Sequence, residues 1–310
     1  MRIAQKLFLV CGVILFSACS AAHDYAATKQ YTLVVGETQR TFLVHIPKNL
    51  TAANPALVIA LHGGGTDGKT MERFSGLSEA SERYGFVVVY PSGSGRLKGF
   101  LTWNAGSCCA YAEKNAIDDV TFISRLIAYM IEQYHVDRSR VYITGISNGA
   151  MMAYRLAAEI PDQIAAIAPV AGTLTIDPGT IHAPMPIIHF HGTDDRFVPF
   201  AGGRGSRGVT RNSYMPVEET IKVWERINQA VAMPPRVEEL PSLHNDGTRV
   251  IRYTYRTERD SQNICLYKVI GGGHTWPGQP HDRLLLGRTT TEISANDLMW
   301  EFFQLHVKRP

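Results

Sequence analysis

Six short, mainly apolar runs set the limits on how this chain folds: residues 56–61, 86–90, 141–146, 164–170, 186–190 and 264–270. A strand with one wet face alternates apolar and polar residues, so a run that is apolar at nearly every position reads as a strand covered on both faces. Helical spacing lies between the runs. In residues 118–134, Val120, Ile123, Ile127 and Ile131 recur at three and four, and Asp118 and Asp119 stand where N-terminal caps belong. Residues 148–160, 217–230 and 296–307 are further helix candidates. Strands alternating with helices predict an α/β class fold, a mostly parallel sheet with helices on both faces. Residues 31–35 and 40–46 predict a hairpin around Gly36-Glu37. Residues 92–115 and 200–215 fit no element, and each follows a strand end, the edge where open α/β sheets bind ligands.

Hydrophobic residues fill 45% of the 310 positions, enough for one large core. No repeat or linker-like stretch divides residues 23–310, which are read as one domain. Residues 1–22 read as an export signal: Arg2 and Lys6, an apolar run over 7–16 too short to span a bilayer, then small residues. Within it, Phe16-Ser17-Ala18-Cys19 resembles a lipobox, which would put a lipid anchor on Cys19. Ser20-Ala21-Ala22 suits cleavage to a soluble secreted or periplasmic form instead, and both readings predict an exported protein. Removing this segment takes the 31 basic residues to 29 against 28 acidic, which gives no electrostatic case for a nucleic-acid partner. Three cysteines lie beyond it, Cys108, Cys109 and Cys265, with no Cys-x-x-Cys or nearby histidine pair to suggest a metal site.

Chemistry enters at Gly145-Ile146-Ser147-Asn148-Gly149. The pentapeptide alone is a weak signal, and a serine between strand and helix is ordinarily just a cap. Here it joins an apolar strand to a helix, the sharp turn that lifts a serine hydroxyl into a cleft, with the flanking glycines read as giving the chain freedom to turn. A serine nucleophile needs a histidine base oriented by a carboxylate, each at a strand end in the order Ser, acid, His. After the run 186–190 come Asp194 and Asp195, either of which suits the chemistry. After the run 264–270 come Gly271-Gly272-Gly273-His274, with His281 as the fallback base. Asn148 at the helix start offers one backbone N–H to an oxyanion, and Gly64 or Gly65, after the first apolar run, offers a second. His62 reads as a structural residue holding that glycine loop.

These segments resemble one family. Leu61-His62-Gly63-Gly64-Gly65, Trp103-Asn104-Ala105-Gly106-Ser107-Cys108-Cys109, Asp118-Asp119-Val120 and Gly145-Ile146-Ser147-Asn148-Gly149 match its motifs. So do His191-Gly192-Thr193-x-Asp195 and Gly272-Gly273-His274-Thr275-Trp276-Pro277-Gly278. Together they look like the polyhydroxybutyrate depolymerase-type esterases, a group that includes feruloyl and acetylxylan esterases, over about residues 31–308. The resemblance implies an α/β-hydrolase fold, a Ser147–Asp195–His274 triad, selection of Asp195 over Asp194, and serine ester hydrolysis without cofactor or metal. The substrate it implies is a small-molecule or polymer ester. Where relatives often continue the Trp224 helix into Asn-Gly-Cys, this chain has Asn228-Gln229-Ala230, so the family's disulfide pattern is not carried over. A Cys108–Cys109 bridge, a link to Cys265 and three thiols are the alternatives, with Cys265 read as a buried thiol.

Trp103 and Trp276 are candidates for the substrate cleft, against plain packing. Arg204, Arg207 and Arg211 lie near the acid and could attract carboxylated substrates, although a solvated loop is the simpler reading. Two other functions fit part of the pattern: a serine peptidase of the same fold, and an exported binding protein with an inactive hydrolase fold. The second would be expected to have lost triad residues, and all three positions are filled.

Overall fold

The computed structural model describes residues 28–308 apart from 209–211, 230–233, 257–261 and 282–283. The expected export signal, Cys19, Arg211 and Ala230 lie outside the described residues. The chain opens with the antiparallel pair β1 (Lys29–Val35) and β2 (Thr38–His45), then β3 (Leu57–Leu61). Helices α1 (Gly68–Ser75) and α2 (Leu77–Tyr84) lead into β4 (Val87–Pro91). A hairpin, β5 (Ser94–Leu97) with β6 (Phe100–Thr102), and the short helix α3 (Ala110–Lys114) occupy the stretch that fitted no element. Then follow α4 (Asp119–Tyr134), β7 (Val141–Ile146), α5 (Asn148–Glu159), β8 (Ala166–Val170) and β9 (Ile187–Gly192). The two-residue strands β10 (Gly203–Arg204) and β11 (Ser213–Tyr214) precede α6 (Val217–Ile227). Strands β12 (Arg236–Glu239), β13 (Arg249–Arg256) and β14 (Gln262–Ile270) and helix α7 (Ala295–Gln304) complete the order.

Ten strands form one sheet in the order β1-β2-β4-β3-β7-β8-β9-β14-β13-β12. The six apolar runs supply β4, β3, β7, β8, β9 and β14, which pair parallel throughout. Antiparallel strands finish both edges. Alternate residues of each central strand serve opposite faces. Leu57, Ile59 and Leu61 pack with α4, α5 and α6, whereas Val58 and Ala60 pack with α1, α2 and α7. Helices on both faces are what makes these strands apolar at most positions, and each buried Ile or Leu contributes about 2 kcal/mol of transfer free energy.

Four elements escaped the sequence reading for a visible reason. Helices α1 and α2 are eight residues each and bury few large side chains, chiefly Met71 and Leu77. They are separated by Gly76 in the left-handed conformation. The edge strands β12 and β13 carry many charges (Arg236-Val237-Glu238-Glu239) and bury little. Asp119 is a correction. Asp118 caps α4 by accepting from the Thr121 N–H at 2.9 Å, but Asp119 turns inward and pairs with buried Arg40 at 2.6 Å. Its other carboxylate oxygen accepts from the Asn104 N–H at 2.8 Å, which ties the loop after β6 to the body of the domain.

Candidate active site

Ser147 sits at the junction of β7 and α5 with φ 57° and ψ −120°. A non-glycine residue pays about 1–3 kcal/mol for such a conformation and keeps it only where the surroundings enforce it. Here the Ser147 N–H donates to the Val170 carbonyl of β8 at 2.9 Å, and its carbonyl accepts the first α5 bond, from the Met151 N–H, at 3.0 Å. The flanking glycines act differently from the expectation. Neither Gly145 nor Gly149 has positive φ. A Cβ on Gly149 would lie 2.2 Å from the Leu61 carbonyl oxygen, and one on Gly145 would lie 2.7 Å from Gly149 backbone atoms. These glycines supply room for backbone to pass backbone, while the serine itself carries the strain.

Asp195 follows β9 and is buried. Its Oδ1 accepts from the N–H groups of Phe197 and Val198 at 2.8 and 2.9 Å. Its Oδ2 lies 2.7 Å from Nδ1 of His274 and 3.4 Å from Nε2 of His191. Burial alone would raise this carboxyl; the charge of His274 and the hydrogen bonds from His191 and His274 outweigh it and hold the group well below the usual carboxylate range. Asp194 is exposed and its carboxylate accepts from the Thr193 hydroxyl at 3.1 Å, so the geometry favours Asp195 as the resemblance did. His274 is held through its own backbone, its N–H donating to the Leu286 carbonyl at 2.7 Å. His281 stacks on Phe74 and does not line the cavity that contains Ser147.

That cavity, of about 410 Å³, has Ser147, Asn148, Gly64 and His274 in its wall. Asn148 is the first residue of α5, where a backbone N–H has no intrahelical acceptor. Its side chain clamps the neighbouring loop, accepting from the Trp103 N–H at 2.7 Å and donating to the Trp103 carbonyl at 3.0 Å. Gly65 is corrected: its N–H donates to the Leu101 carbonyl of β6 at 2.8 Å, so it is engaged in tethering the hairpin. Gly64 is left as the candidate for the second donor. Behind this loop, His62 accepts from the Gly93 N–H at Nε2 (2.9 Å), and its Nδ1 lies 2.8 Å from the Gly63 carbonyl. Nδ1 therefore carries the proton, and burial holds the imidazole down to about 4. It is a neutral brace, as the sequence suggested.

Trp103 and Trp276 are also corrected. Both are fully buried and neither reaches the cavity. The Trp103 indole N–H donates to the His62 carbonyl at 3.0 Å, and that of Trp276 donates to Asn296 Oδ1 at 2.8 Å. Each ring fills core behind a site loop, because an indole whose N–H finds a backbone or amide partner can be buried whole. The side chains that do face the cavity include Met71, Phe74, Phe100, Met151, Phe197 and Tyr214. Sequence reasoning missed them, although residues 92–115 and 200–215, singled out as long loops at strand ends, supply Phe100 and Tyr214. Arg204 and Arg207 do not line it; Arg207 donates to the Leu285 carbonyl at 2.7 Å. Cys108 and Cys109 are joined to each other, with Cys109 at the cavity wall, and Cys265 is a buried thiol pushed up to about 11 by burial.

A parallel sheet with a serine on a strained strand–helix turn, and an Asp–His pair at the ends of two later strands, defines an α/β-hydrolase. Comparison with known proteins is specific about which kind. The sequence model of the family described as esterase PHB depolymerase matches residues 41–204, and the chain belongs to that family. It is a carboxylic ester hydrolase. NocK of Nocardia uniformis subsp. tsuyamanensis, a protein named as an esterase, is 29% identical over 291 residues, covering 90% of this chain and 83% of NocK. Poly(3-hydroxyalkanoate) depolymerase C of Paucimonas lemoignei is 27% identical, covering 89% of this chain and 67% of that protein. An acetyl xylan esterase structure from Aspergillus awamori has the same fold, with a TM-score of 0.62 and 21% identity over 89% of this chain and 99% of that one.

Proposed function

We propose that this esterase works by two-step acyl transfer with Ser147 as nucleophile, His274 as base and Asp195 as the carboxylate that orients it. The observation that carries this is the 2.7 Å contact from Asp195 to His274 Nδ1 while His274 shares a cavity wall with Ser147. His274 takes the hydroxyl proton as Ser147 attacks the ester carbonyl, and returns it to the departing alcohol oxygen. Water then attacks the acyl-enzyme, giving one proton to His274, and collapse of the second tetrahedral intermediate frees the acid and restores Ser147. The N–H groups of Asn148 and Gly64 bind the oxyanion in both steps.

Among the described residues, none that lines the cavity carries a full charge, and aromatic and methionine side chains form much of its wall. This supports an uncharged ester with an apolar acyl or alkyl group of modest size, free or at the end of a polymer chain. Residues 1–22 support export, either as a soluble secreted or periplasmic protein or through a lipid on Cys19. A fluorophosphonate probe should label the wild type and not Ser147→Ala, and the variant should keep its fold and lose turnover of p-nitrophenyl butyrate. Labelling that persists in Ser147→Ala would sink the assignment. Palmitate labelling that disappears in Cys19→Ala separates the anchored form from the soluble one.

A further inference from the structure

Beneath the site lies a line of buried polar side chains that the acyl-transfer scheme does not use. Tyr154 of α5 has its hydroxyl 2.8 Å from Nδ1 of His189. His189 Nε2 is 3.2 Å from Nδ1 of His191, two residues further along β9. His191 Nε2 is 2.8 Å from the Val198 carbonyl and 3.4 Å from Asp195 Oδ2. All three side chains are essentially inaccessible to water. Burial raises the Tyr154 hydroxyl and, with the neighbouring His191, holds His189 well below its ordinary value, so both are neutral.

The direction of the bonds follows from which atoms can only accept. The Val198 carbonyl and the Asp195 carboxylate both face His191 Nε2, so that nitrogen carries the proton. Nδ1 of His191 then accepts, which places the His189 proton on Nε2. His189 Nδ1 accepts in turn, and Tyr154 is the donor that starts the line. We propose that Tyr154, His189 and His191 form a one-way chain of hydrogen bonds that positions Asp195, with His191 as the positioning residue for the esterase reaction. This rests on the Ser147–Asp195–His274 reading. His191 touches no substrate; its Nε2–H donates to the Val198 carbonyl and approaches Asp195 Oδ2 at 3.4 Å, so it holds both the turn whose Val198 N–H grips the carboxylate and the carboxylate that fixes the base.

Among the described residues, the charged groups nearest the chain are turned elsewhere. Lys268 of β14 lies beside His191 in register, but its Nζ pairs with Glu218 of α6 at 3.3 Å and lies over the Phe200 ring, which stands edge-on to His191. Asp194 is exposed. On α5 and α6 the neighbour of Tyr154 is the Trp224 ring, stacked at 6.1 Å.

Removing the His191 donor has a signed consequence. A carboxylate that has lost one donor keeps more of its charge and holds an imidazolium more tightly. The base must shed that proton before it can act, so the acid limb of kcat/KM moves to higher pH. His191→Leu should lower kcat by about threefold to tenfold, since it removes both the bond that holds the Val198 turn and the longer contact to Asp195, with KM within about twofold. Its acid limb should rise by about half a pH unit, and the downfield proton resonance of the His274–Asp195 hydrogen bond should move. His191→Gln, whose amide N–H can reach the Nε2 position, should restore limb and resonance. Tyr154→Phe keeps the ring and loses only the first donor, so it should give the same shifts at about a third of the size. Limb and resonance unmoved in His191→Leu, or Gln behaving as Leu does, would overturn the proposal. If the wild type shows no Ser147-dependent turnover, the acyl-transfer reading fails by itself, and the resonance still decides whether the chain holds Asp195.

Discussion

The turn that carries Ser147 and the wall that faces it are made of different material. Around the serine, backbone packs on backbone: Gly149 against the carbonyls of Leu61 and His62, and Gly172 against the Ser147 carbonyl, each with no room for a Cβ. Across the cavity the surface is side chain, and much of it comes from loops and from the hairpin β5–β6, where Phe100 is 59% exposed. A site of this construction keeps its chemistry in parts that tolerate no substitution and its selectivity in parts that do. The contrast can be broken from either side.

The largest expected effect belongs to the fixed part. Asp195→Asn keeps an oxygen for the Phe197 and Val198 N–H groups, so the amide N–H must face His274. The imidazole is then driven to the tautomer with its proton on Nε2, where it cannot take one from Ser147. We expect kcat to fall about 10⁴-fold with an unchanged melting curve, as for carboxylate-to-amide changes in serine triads generally. A loss under tenfold would show that Asp195 does not orient the base. Next comes Gly149→Ala, whose methyl would meet the Leu61 carbonyl at 2.2 Å. Denaturant melts should show a loss of about 3 kcal/mol or more. A melt like that of the wild type would mean the elbow is softer than its contacts imply.

Acid probes the same rigid frame through His62. Its imidazole titrates near 4 in the fold against 6.5 when free, so below pH 6.5 the unfolded chain takes up a proton that the native brace refuses. Stability should therefore fall as pH drops from 6.5 to 4, by about 3 kcal/mol from this group, and this loss should level off below 4. His62→Gln should show a shallower slope across that window in melts at stepped pH, and an identical slope would remove His62 as the cause. The wall answers differently. Phe100→Ala should leave the melt unchanged and alter the ratio of kcat/KM for p-nitrophenyl octanoate to acetate by about tenfold. An unaltered ratio would place acyl recognition elsewhere in the cavity.

This division also governs what the sequence disclosed. The sheet centre was legible because a strand covered on both faces is apolar at most positions, and all six such runs became parallel strands. The candidates Ser147 and His274 were legible because strand ends in a fixed order leave few alternatives, whereas the order left Asp194 and Asp195 both open and only the family resemblance chose Asp195. Two kinds of detail were hidden. One was the partner of a particular N–H: nothing in Gly63-Gly64-Gly65 says that the third amide turns to Leu101. The other was the depth of large side chains. Trp103 and Trp276 were open between the cleft and plain packing, and their burial depended on the His62 carbonyl and Asn296, which no local pattern reveals. His189 and His191 did leave a trace, since residues two apart on a strand share a face. Two histidines on one face of a strand that is otherwise apolar at its core-facing positions call for polar partners.

The smallest expected effect tests whether every glycine of the site belongs to the rigid class. A Cβ on Gly64 would meet Asn148 Cβ at 3.6 Å and the Thr102 methyl at 3.9 Å, ordinary contact distances, and the residue is not in the left-handed region. Alanine also keeps the backbone N–H assigned to the oxyanion. Gly64→Ala should therefore lie within about 0.5 kcal/mol of the wild type in stability and retain most of its turnover of small acyl esters. A destabilisation like that of Gly149→Ala would erase the distinction between the two loops. Full stability with a kcat loss of about 10²-fold or more would mean that the amide is sensitive to small displacements, as an oxyanion donor is, and would place Gly64 in the catalytic machinery.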